Sequence, residues 1–211
     1  MNLIKLKNTI QSYKGRLELL KIDKQNKLFA IDSLNERLKT IELAQVFLQN
    51  IAQKTQEQLK YQIEDIVNLA LETCFPNEYI FKLNFEISRG KTEAKLTFQS
   101  YKTGGDIDPI NASGGGVLDL TCFALRLACY VLEHNTNNVI IFDEPFRFLS
   151  KDIRQSASEI VKKLSDRLGV QIIMVTHLSE MVDIADRVFE VKKNSDGVSE
   201  IKVRWYGEIN N

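Results

Sequence analysis

Between residues 2 and 72 the chain has no proline, and its only glycine is Gly15. Apolar residues recur there at alternating spacings of three and four. The series runs Leu3, Leu6, Ile10, Tyr13, Leu17 and Leu20, is interrupted at Lys24 and Lys27, and resumes at Ile31, Leu34, Leu38 and Ile41. That period is a coiled-coil seam. At 1.5 Å per residue it extends roughly 58 Å from Leu3 to Ile41. A helix that long, apolar along one narrow stripe, needs a partner strand. Nothing later in the chain supplies one, so the partner must be another polypeptide or another copy. The competing reading is a shorter helix lying on the globular part. Residues 46–75 continue helically with a broader apolar set, including Ile63, Ile66, Val67, Leu69 and Leu71, until Pro76 and Asn77 stop the helix.

The remainder alternates between strand and helix patterns. Residues 79–88 and 92–99 alternate apolar and polar across Arg89-Gly90-Lys91, which predicts an antiparallel hairpin with one face buried. Gly104-Gly105-Asp106 and Asp108-Pro109 mark a loop. Residues 117–133 read as an apolar helix, and 139–142 as a fully buried strand. Residues 152–168 form an amphipathic helix with Ile153, Ala157, Ile160, Val161 and Leu164 on one face. A second buried strand covers 170–176, a short helix 178–185, and a closing hairpin 187–192 with 199–205. Buried strands alternating with helices imply an α/β fold with a parallel sheet and right-handed crossovers.

Acids and bases balance at 28 each, so global charge indicates no partner. Residues 1–60 hold nine lysines and two arginines against six acids, a tilt that suits a solvated helix surface better than a nucleic-acid site. Cys74, Cys122 and Cys129 are odd in number and widely spaced, which argues against a disulfide framework and for buried free thiols. No apolar run is read as reaching membrane-spanning length and no signal peptide opens the chain, so a cytoplasmic protein without a membrane partner is the expectation.

Three short segments carry chemistry. In Val139-Ile140-Ile141-Phe142-Asp143-Glu144-Pro145, an apolar strand ends in two adjacent carboxylates, at the sheet edge where open α/β folds place ligands. Neighbouring side chains on an extended segment point apart. Asp143 can therefore hold a hard cation while Glu144 faces a water, the layout needed to hydrolyse a nucleoside triphosphate. Asn111-Ala112-Ser113-Gly114-Gly115-Gly116 opens a helix, where free N–H groups and the helix dipole favour a phosphate. Thr176-His177 ends the second buried strand, beside the carboxylates if the two strands are neighbours. Each segment alone also has a bland reading, as turn, flexible loop or structural histidine.

Their order and spacing resemble the C-terminal lobe of an ABC-type ATPase head. The preceding coil makes the chain similar to the SMC and SbcC-like branch, which includes the large subunits of phage and bacterial recombination exonucleases. In that family the head is split in sequence, and this chain looks like the returning coil (1–45) plus the C-terminal lobe (46–211), with the signature, Walker B and switch-histidine motifs. The resemblance implies ATP and Mg²⁺ as cofactors. It makes Ser113, Gly114 and Gly115 the signature that contacts the γ-phosphate held by the opposite head. It makes Asp143 the Mg²⁺ ligand, Glu144 the residue that orients or deprotonates the attacking water, and His177 the switch at the γ-phosphate. Two departures stand out. Ala112 and Gly116 replace the usual Leu and acid or Gln around the signature. After Glu144-Pro145, Phe146-Arg147-Phe148-Leu149 leads to Ser150, with Asp152 two further on. Phe146 and Phe148 are read as packing residues, and Arg147 as free to bridge heads.

No G-x-x-x-x-G-K-S/T phosphate loop (Walker A) occurs in the 211 residues. A carboxylate pair cannot position a γ-phosphate alone, because catalysis of phosphoryl transfer is mostly positioning and charge neutralisation. The expectation is therefore half of a split ATPase, with the phosphate-loop lobe and the coil partner on another chain. Its heads would dimerise, its DNA site would form in the assembly, and a nuclease subunit would be a further partner by resemblance. The alternative is a non-catalytic coiled-coil partner or regulator of a full-length repair ATPase. A fragment of a longer protein is a third reading.

Overall fold

The computed structural model of the chain describes residues 3–109, 114–133 and 138–205. It divides into two compact units, Met1–Thr55 and Gln56–Asn211. The first is the opening stretch of helix α1 (Leu3–Cys74). Its seam residues are solvent-exposed throughout, from Leu3 and Ile10 to Leu38 and Ile41. Exposed pairs one turn apart, Lys21–Glu18 at 3.2 Å, Lys27–Asp23 at 2.9 Å and Lys39–Glu36 at 3.0 Å, add only tenths of a kcal/mol each. A single amphipathic helix buries nothing by itself, so the stripe is surface waiting for a strand.

In the second unit the end of α1 packs beneath a three-stranded antiparallel sheet of β1 (Tyr79–Ser88), β2 (Lys91–Ser100) and β3 (Asp106–Ile107). The two long strands pair in register from Tyr79↔Ser100 to Ser88↔Lys91. Arg89 and Gly90, both at positive φ, make the tight turn that the strand twist favours. Phe81, Leu83 and Phe98 face the helix residues Val67, Ala70 and Leu71 in one core, whereas Ile87 at the far end of the hairpin face is exposed. Polar side chains of α1 close the outer edge of β1. The Asn68 amide accepts the Phe81 N–H at 2.7 Å and donates to its carbonyl at 3.0 Å, and Glu64 accepts the Leu83 N–H at 2.8 Å. An unpaired strand edge is thereby satisfied without another strand.

The rest is built of α2 (Gly115–Leu132), β4 (Val139–Asp143), α3 (Arg154–Leu168), β5 (Gln171–Val175), α4 (Ser179–Asp183), β6 (Arg187–Lys193) and β7 (Ser199–Trp205). β4 and β5 pair in parallel, Val139↔Gln171 through Asp143↔Val175, and β6 pairs with β7 antiparallel. The parallel pair and the long helix match the expected α/β class. Phe123 of α2 stacks against Phe142 at 4.7 Å and Phe146 at 5.0 Å, and Ile160 and Leu164 of α3 complete the core.

Four sequence readings need correction. β4 and β5 are not fully buried. Phe142 faces the helices, but on the opposite face Ile141 is 69% exposed, Ile173 46% and Val175 57%. A parallel sheet is normally covered on both faces. Among the described residues nothing covers the second. Cys122 and Cys129 are exposed, and only Cys74 is buried. Their shared helix face is the one turned from the core. Phe148 is 67% exposed while Phe146 is buried, so only one of the two packs. Finally, Gly115–Leu132 is long and apolar enough to cross a membrane by length and composition alone. Here its Val117, Leu120, Phe123, Ala124, Leu127 and Ala128 are buried in the core.

Candidate active site

The parallel register brings the ends of β4 and β5 together. The ladder runs one step past Asp143, with the Glu144 N–H donating to the Val175 carbonyl at 2.9 Å. Glu144 then turns the chain at φ 45°, a left-handed conformation that costs a non-glycine residue of order 1 kcal/mol. This turn separates the two acids. Asp143 belongs, by strand alternation, to the uncovered face with Ile141, and it is exposed. Glu144 is redirected toward the end of β5, where its Oε2 lies 2.8 Å from Nδ1 of His177. Two residues far apart in the numbering thus meet because their strands are direct neighbours. The Thr176 hydroxyl accepts the Leu178 N–H at 3.1 Å, and Leu178 is buried, which fixes the turn carrying His177.

Of the signature residues, Ser113 lies outside the described residues. Gly114 is the extended residue before α2, at φ −62° and ψ 155°, and its carbonyl accepts the Val117 N–H at 3.0 Å. Gly115 and Gly116 face the loop after Glu144. A Cβ on Gly115 would sit 3.1 Å from Cβ of Phe148. One on Gly116 would sit 3.2 Å from Cδ1 of Leu149 and 3.3 Å from the Phe148 carbonyl oxygen. The loop therefore packs tightly on position 116, where any side chain would require it to give by a few tenths of an ångström. Asp119, one helical turn on, accepts the Phe148 N–H at 2.7 Å. Nothing in the sequence marks this residue out, because an acid in the early turns of a helix looks like an ordinary dipole partner. Gly114 and Gly115 are thus joined through α2 and this loop to the Asp143–Glu144 strand end.

Chemically, Asp143 offers an exposed carboxylate with no ion pair among the described residues, which fits a hard cation that takes one or two protein carboxylates and its remaining ligands from phosphate and water. No group of three or more His, Cys, Asp or Glu side chains gathers into a metal cage among the described residues. An open groove between α2 and β4, lined by Arg126, Cys129, Tyr130, Glu133 and Ile141, is separate from the Glu144–His177 pair.

No protein-family profile matches the chain. Curated relatives do. It is 28% identical over 120 residues to the DNA double-strand break repair Rad50 ATPase of Thermoplasma volcanium, covering 56% of this chain and 13% of that protein. The Rad50 ATPase of Sulfolobus acidocaldarius is 29% identical over 150 residues, 70% of this chain and 17% of its own length. That of Methanocaldococcus jannaschii is 36% identical over 94 residues, 44% and 9%. The chain therefore spans less than a fifth of these relatives. Among solved structures, an Smc head bound to the C-winged helix domain of ScpA has a TM-score of 0.58 at 21% identity, over 74% of this chain and 45% of that one. The Pyrococcus yayanosii Smc head with a coiled coil and joint has a TM-score of 0.57 at 20% identity, over 100% and 38%. The fold is that seen in Smc head domains, with a long helix leading into an α/β unit. In sequence the chain is similar to a part of the Rad50 ATPases.

Proposed function

We propose that this chain is one half of a split SMC/SbcC-like ATPase whose hydrolysis of ATP serves DNA repair or recombination. The observation that carries the reading is the placement of Asp143 on the uncovered face of β4 and β5, beside Ile141, Ile173 and Val175. A cation-binding carboxylate set among bare apolar side chains belongs to a site that a second lobe closes. Covering what remains exposed of each of those side chains would contribute about 1 kcal/mol, part of what would hold a covering lobe there. That lobe, on another chain, would bring the phosphate loop, and the exposed seam of α1 would take its coil strand.

In a closed site Asp143 would offer an oxygen to Mg²⁺, Glu144 would orient or deprotonate the attacking water, and His177, which already holds Glu144, would serve as the switch toward the γ-phosphate. Ser113, Gly114 and Gly115 present backbone and hydroxyl donors at the start of α2 to the nucleotide of an opposing head. Bound ATP–Mg²⁺ would supply the phosphoryl group and the charge neutralisation on which such catalysis rests. The Rad50 names of the relatives support repair of DNA double-strand breaks as the setting. The structural neighbour described by ATP-driven dimerisation and DNA-stimulated activation of SMC ATPases supports head-to-head pairing and DNA contact through the assembly. A nuclease subunit and a cytoplasmic location complete the reading.

The test is recovery of the native assembly, followed by Glu144→Gln. A bound polypeptide carrying G-x-x-x-x-G-K-S/T, with ATP hydrolysis abolished by the substitution, is the expected result. Hydrolysis that survives Glu144→Gln would leave the chain as a non-catalytic partner of a repair ATPase.

A further inference from the structure

The seam of α1 carries its own specification of what covers it. On the three-and-four phase, Lys24 and Lys27 take two consecutive seam positions between Leu17-Leu20 and Ile31-Leu34. The positions bordering the seam are mostly basic on the N-terminal side of this interruption. Lys7, Lys14 and Lys21 directly follow Leu6, Tyr13 and Leu20, and Arg16 directly precedes Leu17. Asp23 is the one acid on that border, and Lys27 already reaches it at 2.9 Å. Lys21 reaches Glu18 on the outer side at 3.2 Å. Lys7, Lys14, Arg16 and Lys24 have no ion pair among the described residues.

We propose that residues 3–41 pair with a helix of a different sequence whose facing border is acidic, with carboxylates opposite Lys24 and Lys27, and not with a second copy of this chain. Parallel self-pairing would set Lys24 against Lys24 and Lys27 against Lys27 inside an apolar seam. Antiparallel self-pairing over the full seam would set Lys24 against Leu20 and Lys27 against Leu17. Either arrangement removes the Lys24 ammonium from water without an opposite charge and leaves Lys27 only the border Asp23, which is costly. Border charges and a polar seam position are the usual determinants of which coil strands pair. Nucleic-acid phosphates would answer the same lysines but would leave the leucine and isoleucine stripe bare, so a helix fits both features and a duplex only one. The inference rests on the proposed reading of α1 as one strand of a two-stranded coil, but makes no use of the carboxylate site.

The experiment titrates the full chain with two labelled synthetic helical peptides and a labelled DNA duplex. Both peptides carry a leucine and isoleucine seam. One has Glu on its border and opposite Lys24 and Lys27, and the other has Lys there. The acidic peptide is expected to bind at least about tenfold tighter at low salt, with the gap narrowing at high salt. The triple variant Lys7→Glu, Lys14→Glu, Arg16→Glu should reduce or reverse that preference, with circular dichroism confirming that its helix is retained. The wild-type salt dependence decides the matter if the variant misfolds. Equal binding of the two peptides, or tighter binding to duplex than to the acidic peptide, would overturn the proposal. Glu144→Gln should leave the peptide preference intact. Preference for the acidic peptide in an assembly that does not hydrolyse ATP would therefore sink the catalytic reading alone.

Discussion

Asp119 and Phe148 sit on different elements, and the carboxylate of the first accepts the backbone N–H of the second at 2.7 Å. This bond ties the opening turns of α2 to the loop that leaves the Asp143–Glu144 strand end. A carboxylate acceptor makes it one of the stronger hydrogen bonds available to a backbone N–H. Asp119→Ala should cost about 1–3 kcal/mol in denaturant unfolding and speed hydrogen exchange at the Phe148 amide. Asp119→Asn, which keeps an acceptor oxygen, should recover part of both. Unchanged exchange at Phe148 in the alanine variant would show that the loop is held by packing alone.

The glycines of the same region differ in what surrounds them. Gly116→Ala brings a methyl group to 3.3 Å from the Phe148 carbonyl oxygen, which is backbone and must give by a few tenths of an ångström. A loss of about 1–3 kcal/mol is expected, as for overpacking elsewhere. Gly15 lies inside α1, and a methyl group added to it would meet nothing within 4 Å. Gly15→Ala should therefore stabilise the helix by about 0.5–1 kcal/mol, read as increased ellipticity and a higher melting temperature.

The cysteines should separate by reactivity. Cys122 and Cys129 are exposed, so a maleimide should label both in the folded chain and Cys74 only after unfolding. Burial, with Glu159 adding a like charge, pushes the Cys74 thiol from 9.0 up to about 12. Because the folded state holds this proton more tightly, its contribution to stability is complete below the unfolded value and lost as pH climbs toward the folded one. The stability difference between wild type and Cys74→Ala should thus narrow as pH rises above 9.0. Denaturant midpoints measured at neutral and alkaline pH check the sign.

Much of this architecture is legible in the residues. The long helix follows from an unbroken three-and-four spacing, the β1–β2 hairpin from strict alternation around Arg89-Gly90, and the parallel strands from short apolar runs between helices. Other features are out of reach for identifiable reasons. An apolar run such as Val139–Ile141 says that something will cover it, not what does, and so β4 and β5 read as fully buried. Cys122 and Cys129 fall seven apart, which fixes their common face but not its direction. The approach of Glu144 to His177 needs the register Asp143↔Val175 and the positive φ at Glu144, and neither has a sequence marker. The role of Gly116 depends on a loop whose path is set by Phe146 and Leu149 going inward while Phe148 goes out.

The uncovered face of β4 and β5 also bears on supply. A sheet with one bare apolar face invites association with whatever hydrophobic surface comes first, and nascent or surplus subunits are the copies at risk. On the proposed split reading, a cell that makes such a chain would match its dosage to that of its complement, through linked genes, coupled translation or disposal of the unpaired excess. The same Ile141 and Val175 that would seat a second lobe would mark an orphan for degradation.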